Sequence, residues 1–293
     1  MSLVAWGMIA AGLGTLAAGL FLVRRRFAAA SGFRARVLLL GPVFEAVALV
    51  MFAAEHFLAA RDLMGIVPRW LPGELFWTYF AGVALLAAGV SFIAWRHVRW
   101  AACWLVVFFL LIVVLADLPN LPRQVHDRFF WILIVRETAF AAGALVLAGS
   151  VWTAGLSTGV RLMTVGRSIL ACTFVFYAVE HFLFPRFVPG VPLDKMTPDW
   201  VPAPALLGYF VGATLLAAGI GLIFPRARRA AAVGAGVVLL LLTFFFYVPI
   251  LAMEIHTPLA VEGANYVGDT LLFAATALLA GLGAEEAKHS IQD

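Results

Sequence analysis

Glu55-His56-Phe57 recurs as Glu180-His181-Phe182 within strongly apolar sequence. An acid beside an imidazole can exchange protons near neutral pH or hydrogen-bond a ligand carbonyl, and ionisable side chains in apolar segments mark function by default because they are costly there. The duplication extends well beyond this motif. Shifting the chain by 130 residues superposes Trp70 on Trp200, Pro72 on Pro202, Tyr79-Phe80 on Tyr209-Phe210, Gly82 on Gly212, Pro119 on Pro249 and His126 on His256 without a gap. A fixed period of this kind reads as a structural repeat. Neighbouring helical residues point about 100° apart, so Glu55 and His56 address different partners. Arg136 and Glu137 are the candidate partners of Glu55, and Asp269 stands at the equivalent place in the second copy, where Gly268 replaces the arginine. The first copy is therefore expected to hold an ion pair, and Glu180 or Asp269 in the second to be protonated or to face water. Glu45 lies deeper, with Leu170 at the equivalent position; it is either a functional intramembrane acid or a partner of Arg136.

The duplicated histidines and nearby acids raise metal or haem ligation, but the chain has no HxxxH, HExxH or Cys/His cluster, so neither is expected. Cys103 and Cys172 form no CxxC and read as small, buried apolar residues. The two Pro-x-Trp-x-Pro segments, Pro68 to Pro72 and Pro198 to Pro202, cannot continue a helix. They set Trp70 and Trp200 at the aromatic-belt depth, as interfacial turns capping the bundle or as lids over a pocket. Gly82, Gly89, Gly212 and Gly219 recur at helix-packing intervals and read as close-approach positions. No nucleotide-binding loop or hydrolase triad appears, so stand-alone catalysis is not expected.

The elements that must carry these residues are membrane helices. Hydrophobic residues make up 64% of the chain, charged ones 12%, and the mean hydropathy is +1.02, which places the protein outside the soluble range. Apolar runs at about 2–23, 36–60, 75–95, 100–117, 129–153, 166–184, 203–224, 230–250 and 267–283 predict about nine transmembrane helices. The expected fold is an all-α polytopic bundle: an N-terminal helix over 1–30, parallel four-helix repeats over 36–153 and 166–283, and a cytoplasmic tail over 284–293. The rival is an eight-helix count with the first segment on the surface. Met1 to Val23 lacks a basic stretch before it and carries Arg24 to Arg26 after it, which reads as an uncleaved helix. Basic residues concentrate on one side, at Arg24 to Arg36, Arg96 and Arg99, Arg161 and Arg167, Arg226 to Arg229 and Lys288. This places the N-terminus outside and the C-terminus inside. The same clustering explains a net charge of +4 without nucleic acid as a partner. Only Lys195 and Lys288 are lysines, a bias towards arginine that points to a bacterial cytoplasmic membrane. Both Glu-His pairs, His126, His256 and both tryptophan segments then share the outer side.

The run Ala178-Val-Glu-His-Phe-Leu-Phe-Pro185, followed by Thr197-Pro-Asp-Trp-Val-Pro-Ala-Pro204 and Gly208-Tyr-Phe-Val-Gly212, resembles the DoxX-like family of small four-helix membrane proteins. The resemblance covers both copies, so the chain looks like two fused DoxX-like units. The glutamate before each histidine departs from that family's usual small residue. The resemblance implies a helical bundle and, by analogy with a few relatives, a subunit or accessory of an extracytoplasmic redox system, with a membrane or extracytoplasmic redox protein as partner. The expected ligand is a quinone-like or other small amphipathic molecule in an outer-leaflet pocket. The alternatives are a small-molecule transporter and a scaffold or assembly factor without ligand.

Overall fold

The computed structural model describes residues 2–153, 155–191 and 194–283; the expected tail over 284–293, with Lys288, lies outside them. Secondary structure among the described residues is helical apart from one isolated bridge, Phe187 to Met196. Nine long helices form the bundle: α1 Ser2–Ala29, α2 Gly41–Leu58, α3 Glu74–Ala94, α4 Val98–Ile112, α5 Arg128–Ser150, α6 Leu156–Leu183, α7 Pro204–Ile223, α8 Arg228–Leu242 and α9 Ala260–Leu279. Eight segments are long and apolar enough to span a bilayer, beginning with Leu3–Ala29. The protein is an integral membrane protein. The helix that falls short of the apolar criterion is α9, not α1. It carries Glu262 and Asp269, and it tolerates them because protein, not lipid, surrounds most of it.

The packing order reads the same from either half of the chain. Neighbours in sequence pair as α2 with α3, α3 with α4 and α4 with α5, then α6 with α7, α7 with α8 and α8 with α9. The bundle closes where α5 packs on α6 and α9 packs back on α2, and α5 also meets α9. The last helix of each half therefore lies against the first helix of the other half. α1 runs along α2 at the periphery. Burial follows this arrangement, with 72% of the α2 span buried against 22% of the α1 span.

Small residues allow the close approaches. A Cβ on Gly82 would lie 2.9 Å from His56 Cβ, and one on Gly212 would lie 2.9 Å from His181 Cβ. Gly89 and Gly219 sit equally tightly, on Ala46 and Val50 and on Ala171 and Val175, so all four glycines carry packing. Phe57 stacks on Tyr79 and Phe182 on Tyr209, each pair with centroids 6.4 Å apart. Near the far ends of α4 and α8 the helices widen into π turns, Val113–Asp117 and Thr243–Tyr247. Pro119 and Pro249 follow at the same offset; proline offers no amide donor and crowds the preceding carbonyls, which the wider turn relieves. At the opposite end, the buried Arg167 of α6 donates through Nε to Ala280 O at 2.9 Å and through Nη2 to Leu282 O. This cation holds orphan carbonyls just past the C-terminus of α9.

Cys103 is half-buried, but Cys172 is exposed on the outward face of α6, which corrects the expectation that both are buried. Gly166 separates α6 from α5, and a Cβ there would lie 2.6 Å from Ala142 O. Gly166→Val is expected to cost roughly 1–3 kcal/mol by overpacking. Thermal unfolding in mild detergent should show the loss, whereas Gly14→Ala, whose Cβ would meet nothing within 4 Å, should show none.

Candidate functional site

The polar side chains gather at the Glu-His end of the bundle. Arg136, eight residues into α5 and so about 12 Å along the helix axis from its start, is the hub. Its Nη1 donates to Asp269 Oδ2 of α9 at 2.8 Å, while Nε and Nη2 donate to Glu137 Oε1 at 3.2 and 2.9 Å. Asp117, in the π turn after α4, has Glu137 and Arg136 as electrostatic neighbours. Glu55 is buried in α2, accepts from Asn265 Nδ2 of α9 at 2.8 Å, and has Asp269 as a charged neighbour. Four carboxyl groups thus surround one guanidinium. Such an excess attracts protons and cations and can accept hydrogen bonds from a ligand.

Glu180, the counterpart of Glu55, pairs with Arg128 Nη1 of α5 at 3.0 Å, and the same guanidinium lies over the rings of Phe184 and Phe187. His181 is almost wholly buried. Its Nδ1 donates to Tyr177 O at 2.6 Å, and its Nε2 accepts from Gly190 N at 2.9 Å. A carbonyl can only accept and an amide can only donate, so His181 is held as one neutral tautomer. The residues bonding this ring come partly from the loop after α6. The offset between copies grows from 125 at Glu55 and Glu180 to 130 at Trp70 and Trp200, so this loop is five residues longer than its counterpart. Val188, Pro189, Gly190 and Val191 are buried, and Tyr247, at the position equivalent to Asp117, donates to Pro189 O. Beyond them, Tyr266 donates to Asp194 and Glu262, and Lys195 pairs with Glu262.

The first half lacks these closures. His56 Nδ1 donates to Phe52 O at 2.8 Å, which leaves Nε2 an acceptor, and among the described residues nothing donates to it. Asp117 Oδ2 and Asn265 Oδ1 are also buried acceptors without a partner. The loop following α2 inserts no comparable segment; its residues from Arg61 to Trp70 are exposed or half-buried.

Two expectations are corrected. Arg136 pairs with neither Glu55 nor Glu45, and both Glu180 and Asp269 are ion-paired, so the half with the unpaired motif acid is the first. The reason is the exchange of last helices, which brings α9 to Glu55 and α5 to Glu180. Glu45 is fully buried in α2 with both oxygens unpartnered among the described residues. His126 and His256 are exposed beyond α4 and α8 and join no cluster. Trp70 is exposed, whereas Trp200 packs on Phe246 with centroids 5.9 Å apart. Among the described residues, no group of three or more His, Cys, Asp or Glu side chains could hold a metal ion. Asn265, Arg128, Asp117 and Tyr247 were not singled out by sequence. The common offset of Asp117 and Tyr247, each two residues before a duplicated proline, was the available signal.

A family model matches residues 46–151 and 170–263, one stretch in each half and together more than half of the chain. The chain belongs to the family described as domain of unknown function DUF8561. No curated protein and no solved structure matches it. In this DUF8561 protein the matched stretches include both Glu-His pairs, Arg136 and Asn265, while Asp269 lies beyond them.

Removing one member of a buried ion pair strands the other. Arg136→Leu is expected to destabilise the protein by about 3–5 kcal/mol, and Asp269→Leu alone by less because Glu137 still pairs with the guanidinium. The double variant should recover part of the Arg136→Leu loss. Denaturation in detergent, analysed as a double-mutant cycle, checks this coupling.

Proposed function

We propose that this membrane protein uses the first-half site to hold a small amphipathic ligand bearing hydroxyl donors, such as the quinol form of a quinone-like molecule, and to exchange protons with the outer aqueous phase. The observation that carries the reading is the difference between the halves. In the second half, the Pro189-Gly190 peptide spans from Tyr247 to His181, donating to one and accepting from the other. By correspondence, Asp117 and His56 flank a space of about one peptide group. Both present acceptors there, Asp117 Oδ2 and His56 Nε2, so hydroxyl groups would satisfy them as the loop satisfies their counterparts.

The role is that of a subunit or accessory of an extracytoplasmic redox system, a reading supported by the DoxX-like resemblance. The proposed architecture is two fused four-helix units behind α1, in a bacterial cytoplasmic membrane with the N-terminus outside. A scaffold without ligand is the second reading. It is favoured by His181, whose ring is satisfied on both sides.

Organic extraction and mass spectrometry of protein purified in mild detergent tests the site. The wild type should carry a stoichiometric quinone-like molecule, and an Asp117→Asn, His56→Phe variant should lose at least about tenfold of it while keeping its thermal midpoint within a few degrees. His181→Ala should instead lower the midpoint. An empty wild type, or equal occupancy in the double variant, would sink the ligand reading and favour the scaffold.

A further inference from the structure

At the arginine-rich end, opposite the Glu-His site, α1, α2 and α3 enclose a cavity of about 990 Å³. It closes at Gly19, where a Cβ would lie 2.6 Å from Val43 and 3.4 Å from Ile93, so α1 is pressed against its neighbours there. From Gly19 to Arg26 is seven residues, about 10 Å along the axis, and over that length the walls are apolar, with Val43 and Phe92 among them. The rim is basic. Arg25 and Arg26 line it, and the Arg26 guanidinium lies 4.6 Å from the centre of the Trp95 ring. No aspartate or glutamate is among the lining residues. Leu22, another lining residue, is 52% exposed on the surface that α1 turns outward, so one wall borders the lipid-facing side.

We infer that this cavity is a binding site for an anionic phospholipid of the leaflet at that end, with the phosphate at Arg25 and Arg26 and an acyl chain against Val43 and Phe92. Charge complementarity selects the headgroup, since basic pockets between membrane helices recruit anionic lipids. The apolar depth below the arginines selects a lipid over a soluble anion, which would leave those walls without an occupant. The volume is at the top of the roughly 300–1,000 Å³ range of small-ligand pockets, enough for a headgroup and part of a chain.

Native mass spectrometry of the delipidated full-length protein, titrated with dioleoyl phosphatidylglycerol or dioleoyl phosphatidylcholine, tests the assignment. The wild type should retain one phosphatidylglycerol with roughly tenfold preference over phosphatidylcholine. Arg25→Gln with Arg26→Gln should abolish that preference. Arg24→Gln with Arg34→Gln removes the same charge outside the cavity lining and should preserve it. Ala94→Phe, which adds a ring at the cavity wall without touching a charge, should weaken retention of both lipids and serves as the test if the arginine variant fails to fold. Equal retention of the two lipids by the wild type, or a preference unchanged in both cavity variants, would overturn the proposal. Displacement of phosphatidylglycerol by millimolar inorganic phosphate would assign the arginines to a free anion and overturn the lipid.

Discussion

A guanidinium well inside a helical bundle has few stable settings, because it must be paired and its donors must be met by acceptors of suitable geometry. Arg136 meets that requirement with Glu137 from its own helix and Asp269 from α9. The pairing requires α5 and α9, the last helices of the two halves, to lie side by side. Gly143 permits the contact, since its Cβ would lie 2.8 Å from Thr276 Cγ2. Once α5 and α9 are adjacent, each also covers the first helix of the other half, so Asn265 reaches Glu55 and Arg128 reaches Glu180. The polar end of the protein is a consequence of this crossing.

The two halves use the same frame differently. Phe52 and Tyr177 occupy equivalent positions, and so do Gly268 and Arg136. In one half the Phe52 ring packs at Gly268, where a Cβ would lie 3.0 Å from it. In the other, Tyr177 donates to Ile132 O at 2.9 Å beside the charged hub. The five extra residues after α6 bring backbone donors and acceptors to His181 and Tyr247, whereas His56 and Asp117 keep acceptor atoms that no described residue meets. Inserting backbone into one half and leaving side-chain acceptors in the other gives a duplicated fold one fixed side and one side suited to a ligand.

Much of this was legible in the sequence because hydropathy and repetition encode it directly. The apolar runs mark the helices, and the duplicated glycines mark the close contacts at His56 and His181. The histidine and glutamate of each motif diverge as their helical spacing requires, with His56 turned to α3 and Glu55 to α9. What could not be read was which half supplies each partner. Arg136 was expected to serve its own half, but local spacing carries no information about helix exchange. Asn265, a neutral residue in an apolar run, gives no sign that it will meet Glu55. The insertion of Pro189 and Gly190 was equally hidden, since a five-residue difference in loop length does not reveal whether a loop folds inward.

The central claim is that α5 and α9 lie against each other and join the two halves. A disulfide requires Cβ atoms about 3.5–4.5 Å apart, and a Cβ on Gly143 would lie 3.2 Å from Thr276 Cβ, close enough for a small shift to admit the bond. The most direct measurement is oxidative cross-linking of Gly143→Cys with Thr276→Cys, in a background with Cys103→Ala and Cys172→Ala and a protease site inserted between α5 and α6. If the account is right, the cleaved halves stay joined in denaturing detergent until reductant is added. Halves that separate without reductant, in protein that is otherwise folded, would contradict it.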